Sequence, residues 1–186
     1  MSLLAMDGVA CLRGGRLLFE GLDLRLEPGG AALVVGPNGV GKSSLIRLAA
    51  GLLRAAAGNV ERAEAALADE HLALDPRRSL GAALRFWSGL DGGDASAGLE
   101  AMGLSRLEPV PVRMLSTGQR KRAVLARVIA SGAPLWLLDE PANGLDAEGQ
   151  ERLAEAMRAH RLGGGAILAA THQPIGLDGA AEMRLG

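Results

Sequence analysis

Three short stretches carry residue types whose chemistry is specific. GPNGVGKSSL, from Gly36 to Leu45, matches G-x-x-x-x-G-K-S, the spacing of a phosphate-binding loop. Glycines at 36, 39 and 41 let the backbone turn its N–H groups inward around a polyphosphate, and Pro37, Asn38, Val40 and Ser44 complete the cradle. Lys42 is placed to reach the β and γ phosphates, and Ser43 to set its hydroxyl on Mg²⁺. WLLDEP, from Trp136 to Pro141, supplies carboxylates at the end of an apolar run. Asp139 can hold Mg²⁺ through water, and Glu140 can orient and deprotonate a water attacking the γ phosphate. These parts call for ATP or GTP as ligand.

LSTGQ, from Leu115 to Gln119, is a third phosphate cradle. A helix starting there presents free N–H groups, the Ser116 hydroxyl and a side-chain-free approach at Gly118. One nucleotide has one γ phosphate, already assigned to Lys42. The economical reading is that Ser116 and Gly118 bind the nucleotide seated on a second copy, so that two chains close around two nucleotides and each site is composite.

The elements that must position these residues read as an α/β fold. Ala31–Val35, Leu135–Leu138 and Ala166–Ala170 are short uncharged runs suited to buried strands, ending in the glycine loop, in Asp139 and Glu140, and in Thr171 and His172. An open parallel sheet binds ligands along the edge where its strands end. Ser43–Ala50 predicts a helix that closes the strand–loop–helix unit. Ser116 with Gln119 three residues on is a capping signal for a second helix, to Ala130, with Val124, Leu125, Val128 and Ile129 on its apolar face. A third runs from Leu145 to His160. Val60–Val112 predicts a small, mostly helical subdomain, with GGDASAG, Gly92–Gly98, as a flexible loop within it.

Composition narrows the function classes. The 186 residues suffice for one domain, and 20 basic against 21 acidic residues leave a net charge of -1 with no global field toward nucleic acid or anionic lipid. Two Phe, two Trp and no Tyr argue against stacking-based binding of single strands. Cys11 is the only cysteine, which excludes an internal disulfide and predicts a small core residue. The N-terminal stretch MSLLAMDGVACLRGG has no basic leader, and no apolar run approaches the ~18 residues that span a bilayer, so a cytoplasmic location is expected.

The motifs together resemble the ATP-binding subunits of ABC transporters. GPNGVGKSS, LSTGQ followed by RKRAVLARV, LWLLDEP, NGLD and ATHQ occur in that family's order and cover the chain almost end to end. The finer resemblance is to the ATP-binding subunit of cytochrome c biogenesis (haem) export systems, on CLRGGRLLFEGLDL from Cys11, LRFW from Leu84, SGAPLWLLDEP from Ser131 and ATHQP from Ala170. The resemblance implies a P-loop ATPase domain over residues 1–186, with a mostly parallel sheet core and an N-terminal antiparallel β part. Residues 1–59 and about 115–186 would form the nucleotide-binding core, and about 60–114 the helical subdomain. It also implies ATP and Mg²⁺ as ligands, a second copy and integral membrane subunits as partners, no nucleic acid, and a peripheral place on the cytoplasmic face of the bacterial inner membrane.

Residue roles follow from the same resemblance. Asp146, in NGLD, would communicate across the dimer while also capping the next helix, and His172 would sense the γ phosphate. Two positions depart from the family pattern. Where a magnesium-contacting Gln is expected, the count falls on His71, and no aromatic near Cys11–Arg13 is available to stack on adenine, leaving Arg13 or Leu12 to cover it. Arg120, Lys121 and Arg122 read as a solvated helix face.

Overall fold

A computed structural model describes residues 1–186. Strands β1 (Leu4–Arg13) and β2 (Arg16–Leu26) form an antiparallel hairpin. Then come β3 (Ala31–Val35), helix α1 (Lys42–Ala49), β4 (Ala57–Arg62) and β5 (Ala65–Ala68). Helices α2 (Leu80–Asp91), α3 (Ala95–Ala101) and α4 (Thr117–Ser131) precede β6 (Leu135–Asp139), α5 (Ala147–Leu162), β7 (Ala166–Ala170) and β8 (Ala181–Arg184).

Five strands make one parallel sheet in the order β5-β6-β7-β3-β8, and β2-β1-β4 make a separate antiparallel sheet. The inner strands β3, β6 and β7 are apolar along nearly their whole length because both of their faces are covered, whereas the edge strand β8, AEMR, is largely exposed. Trp136, Leu138, Ile167 and Ala169 face the core shared with α2 to α5, whereas Leu135, Leu137, Leu168, Ala32 and Val34 face the core under α1 and the antiparallel sheet. Period-two alternation therefore divides two apolar sets between two layers rather than apolar from polar. Cys11 lies buried in the second core, as its composition suggests.

The register sets the site. Asp139 of β6 is level with Ala170 of β7, which is level with Val34 of β3, so the residues just past these strands emerge side by side on one edge. β5 adds Asp69 to the same edge, since Ala68 pairs with Leu138.

The stretch from Val60 departs from its mostly helical reading. It opens with the end of β4 and with β5, which is part of the parallel sheet, and the first helix starts at Leu80. GGDASAG is a loop only to Asp94, which caps α3 by accepting the Ser96 N–H at 2.8 Å.

Candidate active site

Gly36 and Gly41 hold φ of 148° and 118°, conformations that L side chains rarely adopt, and a Cβ at Gly36 would press on the Leu185 carbonyl. The loop therefore reverses tightly between β3 and α1. Lys42 is buried, and its Nζ donates to the carbonyls of Gly36 at 2.8 Å and Pro37 at 3.2 Å, which folds the ammonium across the loop it serves. Helix α1 starts with no side-chain cap, so its first N–H groups remain free to meet an anion.

A cleft of 350 Å³ is lined by Asn38, Gly39, Gly41, Lys42, Ser43 and Ser44 of this loop together with Leu18 and Glu140. The glycine loop and the carboxylate read from separate motifs thus face one space. A larger groove of 570 Å³ lies by Gly29, Arg161 and Asp178, at the opposite edge of the sheet, away from these groups.

Asp139 and Glu140, adjacent in sequence, sit differently. Burial pushes the Asp139 carboxyl above its usual range, the nearby Ser43 hydroxyl opposes that, and the charge of Glu140 adds to the rise. Its Oδ1 is buried without a hydrogen-bond partner. A hydroxyl beside an unpartnered carboxylate oxygen fits a hard divalent cation. Glu140 takes φ of 48°, costly for a residue with a Cβ, and its N–H donates to the Ala170 carbonyl at 2.8 Å. From there its Oε2 meets His172 Nδ1 at 2.9 Å. Gln173 Nε2 lies 3.1 Å from His172 Nε2 and donates to Asn143 Oδ1 at 3.2 Å.

The remaining expected residues do not line this cleft. Ser116 and Gln119 form a reciprocal capping box on α4, with the Ser116 N–H donating to Gln119 Oε1 at 2.9 Å. Gly118 approaches the loop at Gly144. Asp146 caps α5, accepting the Gly149 N–H at 2.9 Å. His71 does not join the Ser43 and Asp139 pair: it is exposed, and its Nδ1 lies 3.1 Å from Asp69 Oδ2. Burial pushes Asp69 up, but the hydrogen bonds and charge of His71 outweigh it and hold the carboxyl below its usual value.

One further correction concerns the basic run, and one observation the base-covering candidates. The basic run is not simply solvated: Arg120 folds back onto the carbonyls of Leu115 and Arg113, and Lys121 is half-buried. Burial lowers the Lys121 pKa, opposed by the carboxylates of Asp139, Asp69, Glu140 and Glu70, so this cation faces the strand-end acids. Leu12 and Arg13, candidates to cover a base, are exposed at the hairpin end, while Leu18 of β2 borders the phosphate cleft. Leu18, Lys121 and Gln173 are the residues that motif reading missed; only Gln173, next to His172, had a neighbour that could have drawn attention to it.

A glycine loop between strand and helix, facing a carboxylate at the end of a nearby parallel strand, defines a P-loop nucleotide hydrolase. Residues 19–143 match the ABC transporter family. The chain is 55% identical to the cytochrome c biogenesis ATP-binding export protein CcmA of Sphingopyxis alaskensis, over 99% of this chain and 97% of that one. It is 56% identical to the protein of the same name from Novosphingobium aromaticivorans, over 95% of this chain and 91% of that one. Among solved structures, an ATP-binding subunit of an ABC transporter superposes with a TM-score of 0.87 over 98% of this chain and 85% of that one, at 21% identity. The chain belongs to the ABC transporter family of ATP-binding subunits, and is an ATPase.

Proposed function

We propose that this ATPase powers a cytochrome c biogenesis exporter by closing on ATP with a second copy of itself. Identity above half to two proteins of that name, over nearly the whole chain, supports the system. The observation that carries the mechanism is the Glu140–His172 pair at the rim of the Lys42 cleft.

In this reading the loop N–H groups, Lys42 and the free start of α1 bind the β and γ phosphates. Ser43 and Asp139 hold Mg²⁺, which supplies charge neutralisation on the phosphates when bound. Glu140 positions a water and takes its proton; His172 fixes the carboxylate and senses the γ phosphate. Ser116, Gly118 and Gln119, which do not line their own chain's cleft, meet the nucleotide of the partner, and Asp146 communicates across that interface. No helix is long and apolar enough to cross a membrane; in this reading the subunit attaches to the cytoplasmic face through integral membrane partners. Exposed Phe86 on α2, beside Trp87 and Arg78, supports the helical region as the contact. Haem is the cargo this assignment carries, and nucleic acid is not a partner.

The test is genetic. A host making only the Glu140→Gln protein is expected to lose mature c-type cytochromes while b-type haem proteins persist. Normal c-type cytochromes in that host overturn the assignment to this export system.

A further inference from the structure

Glu140, His172, Gln173 and Asn143 form a chain of polar contacts that leaves little freedom in proton placement. Each link is within hydrogen-bond distance: 2.9 Å from Glu140 Oε2 to His172 Nδ1, 3.1 Å from His172 Nε2 to Gln173 Nε2, and 3.2 Å from Gln173 Nε2 to Asn143 Oδ1. An ionised carboxylate can only accept, so the imidazole nitrogen facing Glu140 must carry a proton. In a neutral ring the other nitrogen is then an acceptor and needs a donor. The carboxamide nitrogen of Gln173 is the group within reach, and its second N–H goes to Asn143. Asn143 in turn donates its backbone N–H to the Glu140 carbonyl at 3.2 Å, closing the circuit.

We infer that Gln173 is a positioning residue, holding His172 as the neutral Nδ1–H tautomer aimed at Glu140 and tying that state to the loop from Asn143 to Asp146. The inference deepens the role proposed for Glu140 and rests on it for its catalytic consequence. Its structural half stands separately. The uncommon tautomer follows from geometry within one chain, before nucleotide or partner is bound. The consequence is that a proton on the wrong nitrogen would present a lone pair to the Glu140 carboxylate, and the two groups would repel.

The experiment reads the tautomer of His172 by long-range ¹H–¹⁵N correlation on the full chain at about pH 8.5, two units above an ordinary histidine pKa. The signal is assigned by its loss in a His172 variant. Wild type is expected to show neutral Nδ1–H. Gln173→Met, lacking a donor, should lower the Nδ1–H population, and Gln173→Glu, offering an acceptor to Nε2 while Glu140 accepts at Nδ1, should protonate the ring. In both, kcat for ATP should fall on the order of tenfold with KM within about twofold, since the glycine loop and Lys42 that bind most of the phosphate chain are unchanged. Unmoved His71 and His160 signals report that the variants fold. An Nε2–H or imidazolium ring in wild type overturns the inference, as does an Nδ1–H ring unchanged in both variants. A shifted tautomer with full kcat overturns the positioning role alone, leaving Glu140 as base.

Discussion

Glu140 combines a demanding backbone with a demanding side chain. At φ of 48° a Cβ costs about 1 kcal/mol relative to glycine. Glu140→Gly should therefore be more stable than Glu140→Ala by about that amount, with both inactive, as chemical denaturation of the two variants will show. Equal stabilities would mean that the backbone is not strained there. Lys42→Ala removes the cation folded over the loop and should weaken ATP binding about ten- to a hundredfold, the loss of a charged hydrogen-bond partner, measurable by titration calorimetry. Lys42, Ser43 and Glu140 were legible because motif spacing places them. Lys121 was not: eighteen residues separate it from Asp139, and its approach to the acids depends on α4 packing beside β5, where Arg127 donates to the Leu67 carbonyl. The count to His71 runs across a segment with no motif to anchor it, and a short shift at the end of β5 puts Asp69 at the sheet edge instead.

Elements were legible where apolar runs end in chemistry. The runs at β3, β6 and β7 agree with the strands, because a sheet covered on both faces demands uninterrupted apolar sequence. Strand β5 was missed because AALA has no alternation and alanine favours helices, so only pairing with Leu135–Leu138 makes it a strand. One buried contact has a testable pH consequence. His160 of α5 stacks on Trp136 of β6 with ring centroids 3.9 Å apart, and a Cβ at Gly165 would collide with its ring. Burial lowers the His160 pKa, outweighing the Ala166 and Pro134 backbone groups that favour protonation. The folded protein thus keeps His160 neutral while the unfolded chain binds a proton below about pH 6.5, so its contribution to stability is full above that pH and is lost as pH falls. Denaturation followed across pH 5 to 8 should show this loss in wild type and not in His160→Phe, which stacks without titrating. Identical pH profiles in the two would exclude His160 as the cause. Asp69, held below its usual carboxylate pKa, loses its own contribution only at lower pH, separate from this window.

At the scale of the whole molecule, one chain displays a phosphate-loop cleft and, outside the lining of that cleft, a capped helix start at Ser116. The count of phosphate cradles in the sequence is what raises the proposal of a shared site, whereas the proposed contact with membrane subunits has no motif and is supported only by exposed side chains such as Phe86. Composite sites make a specific demand on mixtures. Ser116→Arg and Lys42→Ala are each expected to be inactive, the first by blocking the partner's nucleotide and the second by loosening its own. A heterodimer places both lesions in one site and leaves the other whole. Statistical pairing makes half the dimers mixed, each with one intact site of two, so the equimolar mixture should regain up to about a quarter of wild-type ATP turnover. The decisive measurement is that turnover, made on mixtures in which heterodimers are verified by differential mass labelling: recovery toward a quarter is the predicted result, and activity no higher than the two variants alone contradicts a site shared between two copies.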